Sequence, residues 1–208
     1  MSVQFNEKKK AAVLGILTAA LAIFLLAEHA AGAAGVPSKG EAAEARRAAN
    51  PALDSICQTI VDASDKLYTT SFHMYMTQTS PGIENGKPIN SEVVFVGGPR
   101  RYVLYDGKWT GSPFSTEDLK ELEERNLKNA KNESCRYLRD EPVNGESAAL
   151  YTEHGQSEHG KDDSQIWISK GKGLILRMET DLDTGGGANG KSHLSVRYEY
   201  GNVQAPKL

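Results

Sequence analysis

The densest group of side chains that could bind a metal or transfer protons lies between residues 153 and 163. It contains two histidines and four carboxylates: Glu153, His154, Glu158, His159, Asp162 and Asp163. Histidines and carboxylates are the usual zinc ligands and acid–base groups. The two histidines are only five residues apart in a polar stretch, and this spacing does not fix the tetrahedral geometry of a zinc site. We therefore predict a solvated loop at 155–163, with no metal site and no catalytic site.

The other candidate groups do not form a catalytic motif either. His73 and His193 lie between apolar residues in strand-like segments, where a hydrogen-bonded structural histidine is the usual arrangement. The chain has no G-x-S-x-G motif. The glycine-rich run 185–190 lacks the phosphate-loop pattern and precedes a strand, so no helix N-terminus is available to bind an anion. The sequence thus predicts no cofactor, and an enzyme acting through His154 and His159 is the least favoured hypothesis.

The first 33 residues have the order of a secretion signal. Three lysines at 8–10 precede an apolar run at 11–27, and Ala31-Gly32-Ala33 follows as a cleavage site. We predict a signal peptide over 1–33 that is cleaved near Ala33, and therefore a periplasmic protein that is not integral to the membrane after cleavage. An uncleaved anchor helix is the alternative, because the run is close to the minimum length of roughly 17–25 residues for a span.

The composition of the rest excludes some partners. Removing residues 1–33 takes away three lysines and two glutamates, which leaves a net charge of about −4. Phosphate binding requires clustered lysine and arginine, so we expect no nucleic-acid partner. Residues 34–50 are rich in alanine, glycine and charge and predict a flexible leader. The length of 51–206 suits a single domain.

Cysteine usage agrees with export. Cys57 and Cys135 are the only two cysteines, and an even count in an oxidising compartment predicts one disulfide bond. They are too far apart in sequence to form a C-x-x-C redox motif. Two free buried thiols are the alternative.

The periodicity predicts helices at two places in an otherwise β-rich chain. Apolar residues at steps of three and four after Pro51 predict an amphipathic helix that includes Cys57. Ser115 and Asp118 have the spacing of an N-terminal helix cap, and leucines at helical steps follow them. Elsewhere the period is two, and glycine-containing turns separate about eight short strands. If the last two strands pair, their arginines and glutamates could form a cross-strand ion-pair lattice.

These elements together predict an α+β fold. Consecutive hairpins imply an antiparallel β meander, and a large twisted sheet tends to curl into an open half-barrel. We expect the N-terminal helix and the one inserted helix to lie on the concave side.

The same elements suggest where a ligand could bind. Phe72, Met74 and Met76 share one face of their strand, and methionine adapts to irregular ligands. Indole rings are amphipathic, so Trp109 and Trp167 could lie at the rim of a cavity. We predict that these five residues line a binding cavity, although a Phe and Met face is more often ordinary core.

Three local motifs give the chain a resemblance to a known superfamily. They are the hairpin Tyr102–Trp109 around Asp106-Gly107, the segment Ser164–Lys170 followed by Gly173–Arg177, and the closing Tyr198–Val203. With the order of signal, helix, meander and inserted helix, residues 51–206 resemble the lipoprotein-localisation-factor superfamily of LolA-like and LolB-like periplasmic carriers. The resemblance implies a concave hydrophobic cavity that shields an acyl chain or another apolar ligand.

Two functional hypotheses follow. The first is a non-enzymatic periplasmic carrier or sensor that binds and transports an apolar, lipid-like ligand in the concavity. The second is a protein-interaction module of the cell envelope, with the same fold and a cavity filled by side chains. The amount of internal space and the presence of an exposed apolar patch would distinguish them.

Overall fold

The computed structural model describes most of the chain from Ser55 onwards. The described residues are 55–82, 86–97, 100–105, 107–112, 115–121, 131–157, 160–185 and 187–208. The predicted signal peptide (1–33), the leader (34–50) and the predicted start of the first helix at Asn50-Pro51 lie outside them.

The described chain is one helix followed by nine β-strands, with a second helical stretch between the fourth and fifth strands. The helix α1 spans Ser55–Lys66, and residues 116–121 are helical. The strands are β1 Phe72–Thr79, β2 Ile89–Phe95, β3 Arg101–Tyr105, β4 Lys108–Gly111, β5 Lys131–Val143, β6 Glu146–Ser157, β7 Gly160–Ser169, β8 Ile175–Asp183 and β9 Lys191–Glu199.

All nine strands form one antiparallel sheet in the order β4-β3-β2-β1-β9-β8-β7-β6-β5. The sheet is therefore two meanders, β1–β4 and β5–β9, which join where the last strand pairs with the first. The sequence predicted one continuous run of hairpins, in which the first and last strands would be the two edges of the sheet. In the structure these two strands, β1 and β9, pair with each other inside the sheet. The residues between β4 and β5 interrupt the run, so these two strands become the opposite edges of the sheet.

The sheet is curled and open, and with its two helices it confirms the predicted α+β half-barrel. Within the residues that the structure describes, no helix combines the length and the hydropathy that a membrane span requires.

Alternation along β1 separates the two faces of the sheet. Phe72, Met74 and Met76 are buried, whereas His73, Tyr75 and Thr77 are half-buried. This period-two pattern is what a strand gives when one side faces the protein core. We call the side of Phe72, Met74 and Met76 the core face and the other side the opposite face.

Helix α1 packs on the core face through one narrow stripe. Its buried residues are Cys57, Ile60 and Ala63, and Ile60 and Ala63 belong to the main hydrophobic cluster of the sheet. Their spacing of three places them on one side of the helix. The apolar steps that predict this helix include Ile56, Ile60 and Ala63. Ile60 and Ala63 are buried as predicted, whereas Ile56 is half-buried and Cys57 is buried in its place.

The helical stretch 116–121 begins with the predicted cap. The amide of Asp118 donates to Oγ of Ser115 at 3.1 Å, and the amide of Ser115 donates to Oδ2 of Asp118 at 2.7 Å. These reciprocal bonds satisfy backbone donors that the first helical turn leaves unpaired. They also hold the pKa of Asp118 below its usual value.

Two local predictions were wrong. The polar stretch 155–163 is mostly strand, because β6 and β7 continue as a hairpin up to the pair Ser157–Gly160. Strict alternation from Leu174 into β8 predicts Leu174, Leu176 and Met178 on one face. A bulge between the pairs Trp167–Arg177 and Ile168–Ile175 leaves Leu176 as the extra residue and turns it to the opposite face.

The predicted disulfide bond is present between Cys57 and Cys135, whose Cα atoms are 5.1 Å apart. It joins α1 to the edge strand β5 and closes a loop with a sequence separation of 78 residues. In a chain-entropy view, a loop of this size removes many conformations from the unfolded state. The bond therefore fixes α1 against the core face from the edge of the sheet.

Replacing both cysteines with serine should lower the thermal midpoint by several degrees. The loop contributes about 4 kcal/mol in the chain-entropy model, and a domain of this size loses roughly 2–4 °C per kcal/mol. Differential scanning calorimetry measures the shift, and reduced wild-type protein is the matched control. Two titratable thiols in the denatured, unreduced protein would show that the bridge does not form in solution.

Candidate functional site

The five predicted cavity residues lie on both faces of the sheet. Phe72, Met74 and Met76 are on the core face, with exposed fractions of 2, 3 and 3%. Trp167 is on the opposite face, in a second cluster with Ala148, Leu150 and Leu176. Trp109 is also on that face, where its ring centroid lies 6.0 Å from that of His73. The structure thus brings the first three together and separates them from the tryptophans; a ligand contact for either set stays a prediction.

The core face is built around aromatic rings and methionines. Phe72 packs against Phe95 with ring centroids 5.6 Å apart, and against Tyr198 edge-on at 5.5 Å. Met74, Met76 and Met178 extend the same cluster across β1 and β8. Burial raises the pKa of Tyr198 to about 12, so its phenol stays neutral at physiological pH.

Three polar side chains on the core face have buried atoms without a hydrogen-bond partner. Within the described part of the chain they are Oε1 of Gln78, Oγ of Ser91, and Nε and Nη2 of Arg101. The register places them on this face, since Ser91 lies opposite Met76 and Arg101 lies opposite Phe95. Buried polar groups in native proteins are nearly always paired, so a cluster of exceptions calls for an explanation.

A neighbouring polar pair on the same face shows the contrast. Ser164 and Thr180 are also buried, and their hydroxyl oxygens are 2.9 Å apart in a hydrogen bond. The unpaired atoms are therefore a feature of β1, β2 and β3, and the core face as a whole does not share it.

Arg101 is not among the site residues predicted from the sequence. A signal was available, because Arg101 is in phase with Val103, which is buried in the core cluster. An arginine in the apolar phase of a strand indicates either a buried cation or an edge position. The alternation was not recognised because β3 has only five residues and begins directly after a second arginine, Arg100.

On the opposite face, a cluster of charges surrounds His193. Its Nδ1 lies 2.8 Å from Asp181, and its Nε2 lies 3.0 Å from Glu179. Glu179 also accepts a hydrogen bond from Oγ of Ser195 at 2.8 Å. The hydrogen bond to Asp181 is the main reason that the pKa of His193 is raised.

This cluster is not connected as a nucleophilic triad. In such a triad the histidine accepts the proton of the serine hydroxyl through one ring nitrogen. Here both nitrogens of His193 face carboxylates, and the hydroxyl of Ser195 donates to Glu179. The arrangement stabilises a protonated imidazole and gives Ser195 no base.

The predicted ion-pair lattice forms in a different pattern. Arg177 and Arg197 lie directly opposite each other on β8 and β9, an arrangement in which like charges repel. Each pairs with a glutamate two residues along its own strand, Glu179 or Glu199. Each guanidinium also stacks on a ring of the next strand: Arg177 lies 4.8 Å from the ring centre of Trp167, and Arg197 lies 4.2 Å from that of Tyr75.

The other two histidines that the structure describes also have carboxylate partners. Nε2 of His73 lies 2.8 Å from Glu92, and its ring stacks on Tyr75 with centroids 4.2 Å apart. His154 lies opposite Asp163 in the hairpin, with Nδ1 2.7 Å from the carboxylate. His159 and Glu158 lie outside the described residues, and the described residues contain no group of three or more potential ligands around one point.

The opposite face also has a groove with a volume of about 770 Å³. Trp167, Arg177 and Arg197 line it together with Tyr75 and Glu141. The indole nitrogen of Trp167 donates to Glu141, so this ring is already held by the protein. The groove is polar and its charged groups are paired. The core face differs, because Gln78, Ser91 and Arg101 have buried polar atoms with no partner among the described residues.

Comparison with known proteins gives structural neighbours. No protein-family model matches the chain, and no curated protein matches it. The chain is similar to the lipoprotein LppX of Mycobacterium tuberculosis, with a TM-score of 0.39 and 15% identity over 76% of this chain and 98% of LppX. It is also similar to a LolA superfamily protein from Nitrosomonas europaea, with a TM-score of 0.28 and 8% identity over 74% and 96% of the two chains.

A third neighbour is a DUF1329 family protein from Desulfovibrio piger, with a TM-score of 0.27 and 10% identity over 72% of this chain and 92% of that one. The chain thus has a LolA-like structural neighbour, as the sequence resemblance predicts. Because these TM-scores are below 0.5, the fold and the function are argued from the strand order and contacts of the chain itself.

The charge cluster predicts a specific pH dependence of stability. A histidine whose pKa is raised by folding stabilises the native state below its unfolded pKa of about 6.5, and this contribution is lost as the pH rises through the folded pKa. His193→Gln should therefore reduce the free energy of unfolding near pH 5.5 and have little effect near pH 9. The side chain is 46% exposed, so we expect a loss of at most about 1 kcal/mol.

Urea denaturation at both pH values measures this difference. Asp181→Asn removes the main partner and should produce the same pH-dependent loss, and high salt should reduce it. An equal loss at pH 5.5 and pH 9 would mean that His193 acts through packing alone.

Proposed function

We propose that this protein is an exported, non-enzymatic carrier or sensor that binds an apolar, lipid-like ligand on the core face of the half-barrel. The observation that carries the proposal is the composition of that face. Adaptable methionines lie beside buried polar atoms that have no hydrogen-bond partner among the described residues. A face that served only as core would have these polar groups paired or replaced by apolar ones.

The proposed location rests on the cysteine chemistry. Cys57 and Cys135 form a disulfide bond. Disulfide bonds persist in oxidising compartments and are rare in the cytosol. It supports an extracytoplasmic, periplasmic site of action, with residues 1–33 as the cleaved signal, 34–50 as the leader and 51–206 as the working domain.

The proposed binding residues are Phe72, Met74 and Met76, which share the core face with Val93 and Val103. In the register, Met74 lies opposite Val93, and Val93 lies opposite Val103. These residues form an apolar strip across three strands. An acyl chain lying along the strip would be removed from water, which contributes about 0.8 kcal/mol for each buried methylene.

Photolabelling tests the proposal and locates the ligand. A palmitic acid that carries a diazirine on its chain should label residues of the core face, including Met74 or Met76, after irradiation and peptide mass spectrometry. Labelling of Trp167, Trp109 or Arg177 would instead place the ligand on the opposite face.

Native mass spectrometry of protein purified from the envelope should show an acyl-containing species. Absence of that species, together with no probe binding, contradicts the carrier function.

A matched pair of variants on β1 tests the same face by affinity. Met76→Ala should weaken palmitate binding about tenfold, because the ligand loses part of a contact worth about 1.5–3 kcal/mol when fully buried. Thr77→Ala changes the adjacent residue on the opposite face and should leave the affinity unchanged. Isothermal titration calorimetry measures both, after circular dichroism has confirmed that each variant is folded. Equal effects of the two changes would remove the core face from consideration.

The protein-interaction module is the second candidate, and two observations favour it. Phe72, Met74 and Met76 are already buried by their neighbours in one hydrophobic cluster. Tyr137 and Leu138 are 44% and 41% exposed on the edge strand β5. An edge strand presents unpaired backbone groups to which another chain can add a strand. If the core face takes no acyl probe and Leu138→Lys abolishes binding to an envelope protein, the module is the correct assignment.

A further inference from the structure

Arg101 is a cation inside the apolar part of the protein. It begins β3 opposite Phe95, and only 7% of its surface is exposed. Its guanidinium carbon lies 4.8 Å from the ring centre of Phe95, 5.5 Å from that of Phe72 and 5.9 Å from that of Tyr68. The planar group is therefore surrounded by aromatic rings.

The rings do not satisfy the hydrogen-bonding capacity of this group. Cation–π contacts stabilise the charge through the faces of the rings, whereas the N–H groups of a guanidinium point outwards in its own plane. Nε and Nη2 are both buried and have no hydrogen-bond partner in the part of the chain that the structure describes. Among the residues that the structure describes, no carboxylate forms an ion pair with Arg101, and its electrostatic neighbours are the phenols of Tyr68 and Tyr198.

The two unpaired atoms define one edge of the guanidinium. The N–H bonds of Nε and Nη2 run parallel on the same side of the group, which is the fork that binds a carboxylate or a phosphate through two oxygens. An unpaired charge of this kind is costly in an apolar environment, and the burial lowers the pKa of Arg101. An incoming anion would satisfy both donors at once.

The apolar strip lies on the same face of the sheet as Arg101. Arg101 and Val103 are on the same face of β3, and Val103 lies in register with Val93 and, through it, Met74. An amphiphile with its anionic group at Arg101 would place its chain along these residues. Ser91 on β2 also has a hydroxyl with no partner among the described residues. It is four residues from Phe95, the residue opposite Arg101, and is therefore about 13 Å along the strand from the position of Arg101.

We propose that Nε and Nη2 of Arg101 bind the anionic group, a carboxylate or a phosphate, of an amphiphilic ligand whose apolar chain lies on the core face. The inference rests on the proposed carrier function and adds the charge of the ligand to it. Both nitrogens are shielded from solvent, so the ion pair forms where its electrostatic interaction is strong. The ligand reaches them only when neighbouring side chains move, and association should be slower than a diffusional encounter.

The test compares three ligands with one chain length: palmitate, its uncharged methyl ester, and a palmitoyl lysophosphatidate. Each is titrated below its micelle concentration into the wild-type protein, Arg101→Met and Arg101→Lys. We expect the wild type to bind at least one anion about tenfold to a hundredfold more tightly than the ester. Arg101→Met should remove this preference and leave the affinity for the ester unchanged. Arg101→Lys, which keeps the charge without the fork, should retain only part of it.

The anion with the larger preference identifies the source as a carboxylate or a phosphate. Arg139→Met is the control, because Arg139 is an exposed arginine on β5 that pairs with Glu141; it should change none of the three affinities. If Arg101→Met does not fold, the preference of the wild type and its reduction in Arg101→Lys decide the matter.

Two results would overturn the inference in distinguishable ways. The wild type could bind all three ligands equally, or Arg101→Met could keep the preference for the anions. Either result would leave the carrier function in place and show that Arg101 does not bind the anionic group. If none of the three ligands binds to the wild type, the carrier function fails and the inference fails with it. A lower thermal midpoint of Arg101→Met with an unchanged preference would identify Arg101 as a structural residue.

Discussion

The fold depends on the strict alternation of side chains along β1. This strand joins the two meanders into one sheet, because it pairs with β2 on one side and with β9 on the other. A slip of one residue in either pairing would turn Phe72, Met74 and Met76 to the opposite face and bring His73 and Tyr75 into the core. The aromatic contacts of Phe72 with Phe95 on β2 and Tyr198 on β9 hold both pairings in register.

Alternation also explains which parts of the structure the sequence predicted. The two faces of β1, the cap at Ser115 and the cysteine pairing each follow from residues that are close in sequence or unique in type. The placement of Leu176 could not be predicted, because a bulge adds one residue and reverses the phase of what precedes it. The stretch 155–163 was predicted as a loop because its side chains are polar, yet residues 155–157 and 160–163 belong to β6 and β7 and are held by the backbone pairing of these two strands.

The candidate site was predicted in part for the same reason. Phase analysis placed Phe72, Met74 and Met76 correctly on one face, since they belong to a single strand. Trp109 and Trp167 come from other strands, and their side of the sheet depends on pairings that a local pattern does not contain. Arg101 was missed because composition treats arginine as a surface residue, although its long stem and planar head can be buried between rings.

The arginines on the two faces of the sheet differ in their partners, and this difference bears most directly on function. Arg177 and Arg197 stack on aromatic rings and also pair with glutamates, in a place where water could satisfy them anyway. Arg101 stacks on aromatic rings in the same way, where water is excluded, and no described residue pairs with its fork. Replacing even a buried ion pair with well-packed apolar residues is often neutral or stabilising, and burying an unpaired charge is costly. Stability alone therefore gives no reason to keep an arginine at this position, whereas recognition of an anionic ligand does.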